Sequence, residues 1–148
     1  MKIPKVKRKA RIYGSEGFDR DVNFFLRPVA QGHSGRELIV DVLNSAATFI
    51  PLEDCEAGEF ILVNKTKLLY LELAERDLLP ETMIASEISV EVCLADGRTM
   101  VGNFFVEMPK ERSRLSDYLN FSPQFIYLCR EKNDLIINKS AVVSVRNA

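Results

Sequence analysis

Ile88, Val90, Val92 and Leu94 alternate with Ser89, Glu91, Cys93 and Ala95. This alternation predicts a strand with one buried face. Asp96-Gly97 follows and predicts a tight hairpin, because both residue types tolerate positive φ. Thr99 to Met108 reads as a second strand, with Met100, Phe104, Val106 and Met108 on one face and Pro109 ending it. Gly102 inside it predicts a bend or bulge. Arg112 to Leu119 predicts about two helical turns, with Leu115 and Leu119 on one side. Asn120 is expected to stop that helix in a left-handed conformation. Gln124–Arg130, Leu135–Asn138 and Val142–Val145 read as three more strands. Lys139-Ser140-Ala141, between the last two, suits a single 3₁₀ turn.

The first half of the chain repeats this plan. Strands are predicted near Arg11–Tyr13, Arg20–Arg27, Thr48–Leu52, Phe60–Asn64 and Leu68–Leu73, with a helix near Arg36–Leu43. The halves align in three ordered blocks: 10–26 on 90–106, 36–52 on 112–128, and 59–72 on 133–146. Asn23-Phe24-Phe25 returns as Asn103-Phe104-Phe105, and Asn64-Lys65 as Asn138-Lys139. Arg36, Asp41, Leu43, Asn44, Phe49 and Ile50 return as Arg112, Asp117, Leu119, Asn120, Phe125 and Ile126. Both gaps fall in polar or Gly-containing stretches, where loops absorb insertions. This is the signature of a duplicated unit. Leu43 and Leu119 are expected to anchor the two helices equally.

Five short strands with a 3₁₀ turn before the last is the plan of SH3-type small barrels. Val90-Glu91-Val92-Cys93-Leu94-Ala95-Asp96-Gly97-Arg98, followed by Gly102, resembles the first motif of Sm-like proteins. The resemblance covers mainly 88–108 and 124–146. The first half carries it only in Glu16-Gly17 at the turn. The RNA-contacting Asp and Asn of that family, and its Arg-Gly second motif, are missing in their usual form; Asn138-Lys139 stands in the second motif's place without its glycine. The duplicated pattern with D-x-L-N also resembles bacterial proteins of unknown function. The expected fold is therefore mainly β: a tandem duplication of a five-stranded SH3/Sm-like small barrel, each with a short helix inserted between strands two and three. The expected organisation is a basic N-terminal arm at 1–9, a first barrel-like repeat at 10–73, a connector at 74–87 and a second repeat at 88–148. Ala74 to Leu79 is expected to form a helical turn before Pro80.

Composition narrows the class. With 148 residues, 47% of them hydrophobic, the chain has enough apolar material for a core. No stretch approaches the ~18 apolar residues of a membrane span, and the basic N-terminus has no apolar run behind it, so no membrane association and no secretory signal are expected. Cys55, Cys93 and Cys129 are isolated, which fits a reducing cytoplasm rather than a disulfide framework or zinc site. The net charge of −1 hides an asymmetry, because residues 1–11 carry +6 and no acid, leaving −7 on the rest. Lys5, Lys7, Arg8, Lys9 and Arg11 are the candidate contacts for nucleic acid or an acidic partner. A plain solvated leader is the preferred reading of that arm.

Candidate chemistry is sparse. His33, between Gly32 and Gly35 beside Ser34, is the one histidine. Its spacing matches no nucleophile elbow, and the second half has no counterpart. No metal-ligand spacing or phosphate-binding glycine loop occurs. Neither enzyme activity nor a cofactor is expected. Asp41/Asp117 and Asn44/Asn120 are repeated polar spots. They read either as two symmetric binding sites or as structural groups, Asp bonding backbone or Arg36/Arg112 and Asn closing the helix; the structural reading is preferred. Phe24-Phe25 and Phe104-Phe105 place one ring on each sheet face, one for the core and one expected over the helix, with base stacking as the alternative. The expected function is a non-catalytic interaction module that binds a protein partner or itself. The alternative is an RNA- or DNA-associated regulator using the arm and an Sm-like barrel.

Overall fold

A computed structural model describes residues 5–29, 35–79, 82–83, 86–106 and 114–148. The protein is mainly β, and all strand pairs are antiparallel. The strands of the first half are β1 (Val6–Gly14), β2 (Asp19–Leu26), β3 (Phe49–Asp54), β4 (Glu59–Asn64) and β5 (Leu68–Leu73). Those of the second half are β6 (Ser86–Leu94), β7 (Thr99–Val106), β8 (Phe125–Leu128), β9 (Leu135–Asn138) and β10 (Val142–Asn147). Helix α1 (Ile39–Leu43) lies between β2 and β3, and α2 (Leu115–Phe121) between β7 and β8. Each half also has a 3₁₀ turn before its last strand, at Lys65–Lys67 and Lys139–Ala141.

The strands do not close into barrels. One sheet has seven strands in the order β4-β3-β2-β1-β5-β9-β8, and the other runs β10-β6-β7. A bridge between Asn103 and Cys129 links β7 to β8. The ten strands therefore follow one another as β4-β3-β2-β1-β5 and then β9-β8-β7-β6-β10. Closing the first half would require β5 to turn back onto β4. Instead β5 pairs with β9 of the second half, Leu71 opposite Ile136.

The aligned residues occupy matching places in the ladders. Ile12 faces Arg20 as Val92 faces Met100. Asn23 faces Glu53 as Asn103 faces Cys129. Phe49 faces Asn64 as Phe125 faces Asn138. Ile12 faces Leu71 as Val92 faces Val145. The repeated asparagines do the same local work, since the side chains of Asn64 and Asn138 each accept a bond from the N–H two residues on, at 3.0 Å. The hairpin turns match too, with Gly17 at φ 77° and Gly97 at φ 90°, where a glycine is favoured. Gly102 forms no bulge, because it pairs in register with Val90. Its glycine serves close approach: a Cβ there would stand 2.6 Å from the Cys129 carbonyl oxygen and 2.8 Å from Leu128.

Three further expectations are corrected. From Val6 onward the basic arm is not an appendage, since β1 begins there and Val6 to Lys9 pair with Leu26 to Asn23 of β2; residues 1–4 lie outside the described residues. Lysine and arginine fit there because alternate positions face outward while Ala10 and Ile12 enter the core. Residues 74–79 form no helical turn; they are held by side-chain bonds instead. Asn44 closes α1 without entering the left-handed region, at φ −92°, and Asn120 lies inside α2, whose cap is Ser122.

The connector forms a polar latch between the halves. Asp77 is buried; it ion-pairs with Arg36 and accepts the Ile39 N–H at 2.6 Å. The Asp77 N–H donates to the Tyr127 hydroxyl, which donates to Asp134 at 2.6 Å. Asp134 also takes bonds from Arg76 Nε and the Arg130 N–H, both at 2.9 Å. Burial works against the charge of Asp134, but these three donors outweigh it and hold its carboxyl below the usual range. Burial, and then Asp134 itself, push the Tyr127 phenol up, so it stays a donor.

The two halves differ in how well their helices are covered. Leu43 is buried beside Phe125 and Tyr127, whereas Leu119 is only half-buried. Leu43→Ala should cost about 2–5 kcal/mol, the usual range for a buried leucine. Leu119→Ala should cost clearly less, as chemical unfolding at low protein concentration would show. A carboxyl with a lowered folded pKa stabilises above its unfolded value and loses that stabilisation as pH falls through the folded value. Asp134→Asn should therefore be less stable than the parent at neutral pH, and the difference should shrink in acid, measured by urea unfolding across pH.

Candidate functional site

The most distinctive surface follows from the pairing of β3 with β4. Directly opposed residues share a face. Ile50, Leu52 and Val63 point into the core. Phe49, Pro51, Phe60 and Leu62 lie on the other face, which is bare: Phe49 is 54% exposed, Phe60 73% and Leu62 70%. The outer edge of β4 has no strand partner among the described residues. Phe25 only partly covers this surface, its ring 5.5 Å from that of Phe60. Single exposed apolar residues are ordinary, but a cluster beside an open sheet edge marks a place for docking.

The matching face in the second half is covered. Phe125 is 2% exposed, Tyr127 7% and Ile136 0%, and all three belong to the core that includes Ile39, Leu43, Leu71 and Leu73 of the first half. Phe125 matches Phe49, Tyr127 matches Pro51, Ile136 matches Leu62, and Asp134 matches Phe60. Where the covered face carries a tyrosine and an aspartate to receive the connector, the bare face carries proline and phenylalanine.

A cavity of about 380 Å³ adjoins the open edge, walled by Gly14, Phe18, Ile61, Leu62, Val63 and Leu68. It lies between β4 and the turn that joins β1 to β2, and Arg20 and Asp54 also line it. A second cleft, of about 410 Å³, runs between α1, α2 and β8, and takes in Asp41, Asn44, Phe105, Tyr118 and Phe125.

The repeated polar residues have backbone roles in the first half. Asp41 accepts the Leu38 N–H at 2.9 Å, capping α1, while Arg36 turns to Asp77 rather than to Asp41. Asn44 clamps the other half: its Nδ2 donates to the Phe125 carbonyl at 3.0 Å, and its Oδ1 accepts the Phe125 N–H at 2.9 Å. Asp117 sits in the first turn of α2, and Asn120 is exposed near its end. The second cleft gathers Asp41 and Asn44 but neither Asp117 nor Asn120.

The cations of the arm are partly engaged. Lys7 approaches Glu53 at 3.6 Å, Arg8 pairs with Glu75, and Arg11 bridges Asp19 at 2.9 Å and Asp21 at 3.1 Å. These two acids push the Arg11 guanidinium further up. Lys5 and Lys9 are exposed. The strand thus presents cations interleaved with acids, which lowers its pull on phosphate. Phe24 and Phe104 are the core rings; Phe25 meets Phe60 instead of α1, Phe104 meets α2 through Tyr118 at 4.9 Å, and Phe105 lines the cleft between the two helices.

His33 and Arg112 lie outside the described residues. Among the described residues, no three of His, Cys, Asp or Glu cluster as a metal would need. Burial pushes the Cys129 thiol up, which disfavours a reactive thiolate. No described helix is long and apolar enough to cross a membrane. Comparison with models of protein families, with curated proteins and with solved structures finds no match.

Sequence reasoning missed the bare face, although a signal was present. Phe49, Phe60 and Leu62 are apolar at positions alternating with core residues, so β3 and β4 are apolar on both faces. Such strands are built to be covered twice.

Deleting residues 2–9 removes the Val6–Lys9 portion of β1, with its partners from Leu26 to Asn23. The truncated chain should lose far more than the ~0.5 kcal/mol of a surface change, seen as a large drop in thermal midpoint or as failure to fold.

Proposed function

We propose that the chain is a non-catalytic interaction module that binds protein, either another chain or a copy of itself, on the bare face of β3 and β4. The observation that carries this reading is the cluster of Phe49, Pro51, Phe60 and Leu62 beside an unpaired strand edge. Apolar rings supply most of the binding energy at protein interfaces, and an open edge offers backbone bonds to an added strand. We read each half as an opened form of an SH3/Sm-type small barrel, a reading supported by its strand order and its 3₁₀ turn before the last strand. A cytoplasmic setting accords with three cysteines left free.

The nucleic-acid alternative has weaker support. Lys7, Arg8 and Arg11 stand beside acids, which leaves Lys5 and Lys9 as the main free cations among the described residues of the segment. Co-purification from native lysate, with and without nuclease, separates the two readings. A retained protein should survive nuclease and be lost with Leu62→Asp. Retention that nuclease abolishes, or that Leu62→Asp leaves intact, would overturn the β3/β4 reading.

A further inference from the structure

We propose that the occupant of the bare β3/β4 face is the second half of another copy of this chain, docked head to tail with its β10 beside β4. This deepens the interaction-module reading and rests on it. The template is the junction inside one chain. There, β5 pairs with β9 and α1 covers β8. By the internal alignment, β10 matches β5, α2 matches α1, and β3 and β4 match β8 and β9. The ten-strand succession begins at β4 and ends at β10, both without an outer partner among the described residues. Placing β10 of one chain against β4 of the next repeats the β5–β9 step.

Both sides of the proposed contact are incomplete in the single chain. On the head, Phe49 and Leu62 are exposed where Phe125 and Ile136 are buried. On the tail, Leu119 and Val145 are half-buried where Leu43 and Leu71 are buried, and Val143 is 68% exposed. The register follows from Leu71 opposite Ile136: Val145 should face Leu62. The polar clamp carries over as well. Asn44 holds both backbone groups of Phe125, and this pair recurs as Asn120 and Phe49. Asn120 is exposed at the tail, which places it to clamp Phe49 of the neighbour. The latch itself does not recur on this face. Phe60 and Pro51 replace the latch residues Asp134 and Tyr127 accordingly. Head and tail are different surfaces, so the contact is heterologous and generates a ring or a filament.

Sedimentation of the full-length protein tests this. The parent should form multiples of the 16.8 kDa chain. Leu62→Asp blocks the head and Asn120→Lys the tail; both side chains are at the surface, and unchanged circular dichroism would show that folding is intact. Each variant alone should sediment as a monomer. Mixed, they should give a one-to-one dimer and nothing larger, because one good tail meets one good head. Phe60→Asp is a second head variant and should behave as Leu62→Asp does. A parent that stays monomeric into the millimolar range overturns the proposal. So does an Asn120→Lys chain that still self-associates while Leu62→Asp does not, since that pattern means two heads meeting. If the parent is monomeric yet retains a protein through Leu62, the self-docking inference fails and the broader module reading stands. If neither occurs, both fail.

Discussion

The pairing of β5 with β9 is the contact on which the rest of the structure depends. It takes the edge that barrel closure would have used and joins the halves into one succession of strands. It also buries β8 and β9 on both faces. Ile126, Leu128, Leu135 and Ile137 turn to the second core, and Phe125, Tyr127 and Ile136 to the first. Burying a large apolar side chain stabilises by about 1.5–3 kcal/mol each, as an upper bound. Three such groups are buried at this junction.

The same contact separates the fates of two similar sequences. Aligned residues keep their ladder positions, yet Phe125 is buried and Phe49 is not, and Leu43 is buried while Leu119 is half-covered. Local sequence cannot produce that difference, since the pairs are identical. Position in the succession does: β8 and β9 lie inside it, and β3 and β4 at its end. The replacement of Tyr127 and Asp134 by Pro51 and Phe60 is one place where composition follows position.

Much of this fold could be read from residues. Alternation in 88–95, the Asp96-Gly97 turn and the three-block alignment located most strands, both helices and the 3₁₀ turn at Lys139–Ala141 to within a few positions, but β1 begins well before the expected Arg11. What escaped has a common cause. Val6 to Lys9 looked like a leader because charge dominates it, but a strand with one wet face carries charge at alternate positions. Asn44 does close α1, but the bond of its side chain to the Phe125 backbone, 81 residues away, escaped. Asp77 and Arg76 looked like helix formers, while their bonds reach Tyr127, Asp134 and Arg36. Closure failed for the same reason, since the competitor for the β5 edge comes from the other half. The bare face could have been inferred from β3 and β4 being apolar on both sides, had each strand been asked what covers its second face.

The latch around Asp77 and Asp134 bears on strand exchange. Domain swapping, in which the second half of one molecule settles on the first half of another, is a low-cost route to dimers. Opening this junction would strip Asp77 of Arg36 and the Ile39 N–H, and would leave Asp134 with fewer donors for a buried charge. Separating one partner from a buried ion pair typically costs about 3–5 kcal/mol. The connector therefore acts as a lock on intramolecular partnership. Each molecule should keep its own halves together once folded, and exchange between molecules should be slow compared with any reversible encounter at its ends.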